Sequence, residues 1–155
     1  MSLRKAILSQ EQLNWFQTSQ TRNDIVQYIL ALNDSILNVK LTDICETSPA
    51  VDAILNTLDR IEQLATETPP VENSASRFGN PAFRTFYDKV SQISPSSHEI
   101  LPNFPAVKIP EVSEYFNESW GNRTRIDYGS GMELNFLCWL YVFYISCPRT
   151  TLTIA

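Results

Sequence analysis

At 155 residues, with 43% apolar and 19% charged side chains, the chain has the composition of one folded domain and not of a disordered segment. A net charge of −5, with no run of lysine or arginine, argues against a nucleic-acid-binding surface. The three cysteines, Cys45, Cys138 and Cys147, have no paired spacing, which fits reduced thiols better than a disulfide or zinc framework.

In chain order, Ser9-Gln-Glu-Gln12 has the form of a capping box for a short helix carrying Leu13 and Phe16. The apolar run before it is too short for a signal peptide, which predicts a cytoplasmic protein, with the nucleus as an alternative. A second box, Thr21-Arg-Asn-Asp24, predicts the start of a longer helix. Its Ile25, Tyr28, Ile29, Leu32 and Ile36 share one face. Ser48 followed by Pro49 is an N-cap with proline at the first helical position, and Val51, Ile54, Leu55, Leu58 and Ile61 make a third single-faced helix.

Thr68-Pro-Pro-Val-Glu-Asn-Ser-Ala-Ser76 breaks the pattern and reads as a loop. Asn80-Pro81 opens another helix with Phe83, Phe86, Tyr87 and Val90 at helical spacing. Four prolines between Ser94 and Pro110 predict irregular chain there, and His98, the only histidine, falls within it as a solvated loop residue. Val112, Tyr115, Phe116 and Ser119 predict a helix that Gly121 ends. No alternating strand pattern occurs, so the fold class is all-α.

The most distinctive stretch is Asn122 to Ile145. Arg123 to Gly131 is a loop with two arginines and with Gly129 and Gly131 around Ser130, glycines that permit positive φ and the close approach of another group. Ser130 and Glu133 form a capping box, so a helix begins at Ser130. From Leu134 to Ile145 only Asn135 is polar, and a helix apolar all round belongs inside a helical core. It is much shorter than the roughly 20 residues of a membrane span. The orphan N–H groups and dipole at the start of such a helix favour an anion, and the bare glycines with Arg123 and Arg125 suit a phosphate. The plainer reading is a well-capped buried helix beside two solvated arginines.

Other chemistry is poorly supplied. One histidine leaves no histidine-rich metal site, and Ser-His-Asp or Cys-His catalysis would have to be built around His98. Asp127 and Glu133 are nearby carboxylates. The simpler roles are a cap for Glu133 and, for Asp127, ordering the loop or pairing with Arg125.

Arg125-Ile-Asp-Tyr-Gly-Ser-Gly-Met-Glu-Leu-Asn-Phe136 resembles the signature of the phosphotyrosyl phosphatase activator family, in wording closest to its fungal members. Supporting blocks lie upstream in the same order: Thr21-Arg-Asn-Asp-Ile25, Thr68-Pro-Pro70, Ser76-Arg-Phe-Gly-Asn-Pro-Ala-Phe-Arg84 and Tyr115-Phe-Asn-Glu-Ser-Trp-Gly121. The resemblance implies an irregular all-α domain around a central buried helix at 130–145, truncated relative to the family. It runs from about Leu13 to Ile145 and makes residues 1–145 the N-terminal half of the family's domain, with 146–155 an unrelated-looking tail. It implies an activator of serine/threonine protein phosphatase 2A with peptidyl-prolyl cis/trans isomerase activity, acting with ATP and magnesium. The implied partners are the phosphatase catalytic subunit and scaffold and proline-containing peptides, with no nucleic acid and no membrane. By position, Arg125, Ser130 and Gly131 would bind nucleotide, and Asp127, Tyr128, Gly129 and Glu133 would shape the loop. Metal ligands would lie in a second half carrying a Glu-Pro-Ala-Gly-Ser-His-Gly-Val-Trp motif. Met132 stands where the family has histidine. That departure, and the missing half, leave as the alternative a phosphatase-binding module or a non-functional fragment without catalytic activity.

Overall fold

In the computed structural model, which describes residues 4–73 and 79–146, the described chain is built from helices. The tail from Cys147 and the segment 74–78, with the start of the Ser76–Arg84 block, lie outside the described residues. Helices α1 (Gln10–Gln17) and α2 (Gln20–Ser35) pack on each other, and α2 also reaches α6 (Ser130–Ser146). Helices α3 (Pro49–Thr66), α4 (Ala82–Glu99), α5 (Ile109–Glu118) and α6 then pack each against the next, with one 3-10 turn at Ala106–Lys108. The only pairing of extended backbone among the described residues is a single bridge between Asn122 and Asp127.

Serine caps explain the starts of the first three helices. Ser9 and Gln12 form the capping box of α1, and Ser48 with Pro49 starts α3 as the sequence predicts. The start of α2 differs: Ser19, not Thr21, is its cap, accepting from Arg22 N. Both residues can cap a helix, and Ser19 wins because its carbonyl also takes the first intrahelical bond from Asn23. At α6, Ser130 is the first helical residue and Gly129 O accepts from Met132 N at 2.8 Å, so Ser130 stands one position beyond the cap.

Helix α4 also corrects the sequence reading. It runs through Pro95 to Glu99. An interior proline removes one backbone hydrogen bond and costs about 3 kcal/mol in a free helix. Here Val90, Ser94 and His98, at i, i+4 and i+8, form a fully buried strip that offsets this loss. His98 is therefore a core residue only 1% exposed, not a solvated one.

The core joins Ile54, Ile61 and Leu64 of α3, Val90 of α4, Val112 and Phe116 of α5, and Trp139 and Phe143 of α6, with Leu101 from the connection after α4. Burying each large side chain contributes roughly 1.5–3 kcal/mol. Trp139 and Phe143, one helical turn apart, are the innermost part of α6. The helix has no polar face, yet Leu134, Tyr144 and Ile145 remain 48%, 41% and 55% exposed. No helix among the described residues is long and apolar enough to cross a membrane.

Candidate functional site

The chain leaves α5 through Ser119 and Trp120 and turns at Gly121, whose φ of +131° only glycine adopts readily. A Cβ there would also come within 2.8 Å of Phe83 Cζ. A closed loop follows. Asn122 N donates to Asp127 O at 3.0 Å, and Ile126 N donates to Asn122 O at 2.7 Å. The Asn122 side-chain oxygen accepts from Thr124 N and Arg125 N, at 3.1 and 2.8 Å. This is an asparagine ordering its own turn, a common use of that side chain.

Helix α4 and the residues before it hold the loop from outside. Arg123 Nε and Nη2 donate to Asp88 Oδ1 and Oδ2 at 2.6 and 2.8 Å, a two-pronged ion pair. That hydrogen-bonded guanidinium pulls the Asp88 carboxyl below its ordinary range. Arg84 Nη2 donates to Thr124 O at 3.3 Å. Ile126, a β-branched residue, has a φ of +54°, and its side chain packs on Gly79. A Cβ at Gly79 would lie 2.5 Å from both Ile126 Cγ2 and Ile126 O.

All seven residues singled out by the sequence lie in the continuous exposed stretch that runs from this loop into α6. Arg125 pairs within the loop with Asp127, Nε to Oδ2 at 2.8 Å, so Asp127 both orders the loop and partners Arg125. Tyr128, Gly129, Ser130, Gly131 and Glu133 are exposed. Gly129 and Gly131 have ordinary φ, contrary to the conformational reason offered for them, and nothing lies within 4 Å of where their side chains would be. Their value is bare, open backbone at the start of α6. Met132 is half-buried. The second turn of α6 is tied to the end of α5 by Asn135 Nδ2, which donates to Glu118 O at 3.4 Å.

The arrangement fits an anion: open backbone at a helix N-terminus, a hydroxyl at Ser130, and Arg125 beside it in sequence. It does not offer a metal site, since no group of three or more metal-type side chains occurs among the described residues. The two arginines are not simply solvated, because each has a carboxylate partner.

Nor does His98 form a nucleophile-activating pair. Trp139 Nε1 donates to His98 Nε2 at 2.8 Å, and an indole N–H can only donate. The ring proton is thus on Nδ1, which donates to Ser94 O, with Ser113 Oγ 3.3 Å away. Cys138 is half-buried on α6, and burial pushes its thiol pKa up.

Sequence spacing did not reveal the loop's anchors, Gly79, Arg84 and Asp88. They lie 35 or more residues from the groups they hold, and only the packing of α4 brings them there.

Residues 3–147 match the model of the family described as phosphotyrosyl phosphate activator (PTPA) protein. A protein of Cryptococcus neoformans var. neoformans serotype D named serine/threonine-protein phosphatase 2A activator 2 is 51% identical over 136 residues, covering 88% of this chain and 36% of its own length. Its namesake in Schizosaccharomyces pombe is 37% identical over 138 residues, covering 89% of this chain and 39% of its own length. The crystal structure of the PP2A phosphatase activator Ypa1 superposes with a TM-score of 0.77 at 26% identity, covering 90% of this chain and 46% of that one. The chain thus spans about two fifths or less of the length of these two curated relatives. With its helices in the same arrangement and its residues matched almost end to end, the chain belongs to the phosphotyrosyl phosphatase activator family.

Proposed function

We propose that this chain forms part of a cytoplasmic activator of serine/threonine protein phosphatase 2A that acts with ATP through the Arg125–Glu133 stretch. The observation that carries the proposal is the 51% identity to a relative named as such an activator, spanning the ordered loop and the start of α6. The open backbone at Gly129 and Gly131 supports it, since phosphate oxygens can approach N–H groups there without meeting a side chain. Ser130 would offer its hydroxyl and Gly131 its N–H. Arg125 would swing from Asp127 to the phosphates, while Asp127 and Tyr128 keep the loop in shape. Magnesium-bound ATP would supply the negative charge that this terminus and Arg125 neutralise.

The partners in this reading are the phosphatase catalytic subunit with its scaffold, and proline-containing segments whose cis/trans isomerisation the activator accelerates. That reaction forms no covalent intermediate. It needs only a surface that binds the twisted imide better than the planar one, against a barrier of about 18–20 kcal/mol.

The test is a titration of the purified chain with phosphatase catalytic subunit, with and without magnesium-ATP, alongside a proline-peptide isomerisation assay. ATP-dependent binding with faster isomerisation is the expected result. Binding without turnover would make the chain a phosphatase-binding module. No binding in either condition by a full-length form containing this chain would overturn the proposal.

A further inference from the structure

The signature loop is held in an unfavourable backbone conformation by residues that are not part of it. Ile126 at a φ of +54° is a conformation that side chains branched at Cβ rarely adopt, and it persists only where the surroundings over-determine it. The internal bonds around Asn122 close the loop but do not fix where it sits. Its place is set by α4 and the turn before it: Gly79 against Ile126, Phe83 against Gly121, Arg84 on Thr124 O, and Asp88 on Arg123. Among the described residues, Asp88 is the only charged anchor that grips the loop with two hydrogen bonds.

We propose that Asp88 is a positioning residue for the anion-binding stretch, fixing the loop through Arg123 so that Arg125 is left to read the ligand. This rests on the proposed ATP reading of the same stretch. The two arginines then have different work. Arg123 is held by a residue 35 positions away, so releasing it loosens the hold of α4 on the loop. Arg125 is paired two residues along its own loop and is the more exposed of the two, so it can leave Asp127 without disturbing the anchor. An asparagine at 88 keeps the shape but loses the charge that makes the two-pronged pair strong, and a lysine at 123 lacks the fork that pair requires. Because Asp88 and Arg123 are both solvent-exposed, the pair adds little to global stability. Its effect is on local order, and that separates positioning from a merely structural role.

The experiment compares the 155-residue protein with Asp88→Asn and with the swapped pair Asp88→Arg/Arg123→Asp. Hydrogen exchange followed by mass spectrometry reads the amides of Asn122, Thr124, Arg125 and Ile126, all of which are bonded in the closed loop. In Asp88→Asn their exchange should quicken about tenfold or more with the melting temperature nearly unchanged, as for a local opening. Magnesium-ATP affinity should fall several-fold in the same variant, and the swapped pair should recover much of both. Unchanged loop exchange in Asp88→Asn would overturn the proposal, whatever the nucleotide does. Faster exchange in a protein that binds no ATP even as wild type would uphold Asp88 as the loop's anchor and remove only the nucleotide reading.

Discussion

Trp139 of α6 donates its indole N–H to Nε2 of His98 on α4 at 2.8 Å, joining two helices 41 residues apart inside the core. The imidazole is also walled by the rings of Phe116 and Phe143, the latter stacked at 5.9 Å. Replacing it with alanine leaves a cavity and strands a buried donor. His98→Ala should therefore cost roughly 2–5 kcal/mol, read as a lower urea midpoint. Ser94, also fully buried, is the control: its Oγ has no partner among the described residues. Ser94→Ala should change stability by less than about 1 kcal/mol, because no hydrogen bond is lost.

The same imidazole makes stability depend on pH. Burial lowers its pKa below the ordinary 6.5, and the groups around it, Ser94, Ser113, Trp139, Phe116 and Phe143, carry no charge to stabilise a cation. The unfolded chain therefore takes up this proton before the folded one does. The contribution is complete above pH 6.5 and is lost as the pH falls from there towards the lowered folded value. The slope is at most about 1.4 kcal/mol per pH unit. Melting temperatures at pH 7.5 and 5.5 should differ more for wild type than for His98→Asn. Equal differences would show that the imidazole titrates as it does in water.

His98 also shows where the sequence stopped being legible. Helix α3 follows from its cap and apolar spacing together, α1 from its capping box, and α5 and the start of α4 from apolar spacing. The second half of α4 does not, since its buried strip is Val90, Ser94 and His98 and a proline interrupts it. The inward-facing imidazole of His98 is made tolerable by partners on α5 and α6, which spacing along α4 cannot show. The candidate site divides similarly. Arg125, Asp127 and the open backbone of Gly129 and Gly131 were visible as a motif, and the Arg125–Asp127 pair is local enough to anticipate. Gly79 and Arg84 stood in the Ser76–Arg84 block and Asp88 in none, and their hold on the loop was not visible, because it exists only once α4 packs beside the loop.

The glycines should separate into two kinds on substitution. Gly121→Ala meets Phe83 and an unfavourable φ, and Gly79→Ala meets Ile126, so each should cost about 1–3 kcal/mol. Gly131→Ala has open space and ordinary helical backbone, so stability should hold or rise by up to about 1 kcal/mol. If the stretch binds phosphate, Gly131→Ala should nevertheless weaken magnesium-ATP binding, since the new methyl covers the open N–H. Thermal unfolding and nucleotide titration on the three variants would distinguish shape from binding.

Arg125→Ala tests the reading arginine directly. In the proposed ATP reading it would remove a charge-assisted hydrogen bond to phosphate, so affinity for magnesium-ATP should fall about tenfold or more while loop exchange stays close to wild type. Arg123→Ala should do the reverse in proportion, loosening the loop first and weakening the nucleotide through it. Small and equal effects of both on affinity would mean that neither arginine faces the ligand.

The last expectation concerns α6 itself. Its inner strip, Trp139 and Phe143, is covered by α4 and α5, and the ring of Tyr28 on α2 packs at a tilt beside Tyr141 and Tyr144. On its outer side Leu134, Tyr144 and Ile145 face solvent, and Ile29, Leu30, Ile36 and Leu37 of α2 and its C-terminal end are also exposed. A helix without a polar face cannot turn one outward, so this surface stays apolar however the helix rotates. Each such side chain left in water forgoes roughly 1.5–3 kcal/mol of burial, while a whole domain is stable by only about 5–15 kcal/mol. The 155-residue chain purified alone should therefore be weakly stable and should associate as its concentration rises. Light scattering after size exclusion would show a mass above 17.7 kDa that falls towards the monomer in Leu134→Glu/Ile145→Glu, two exposed positions where the charge costs the core nothing. A concentration-independent monomer with a sharp thermal transition would show that the first five helices cover more of α6 than its exposed side chains indicate.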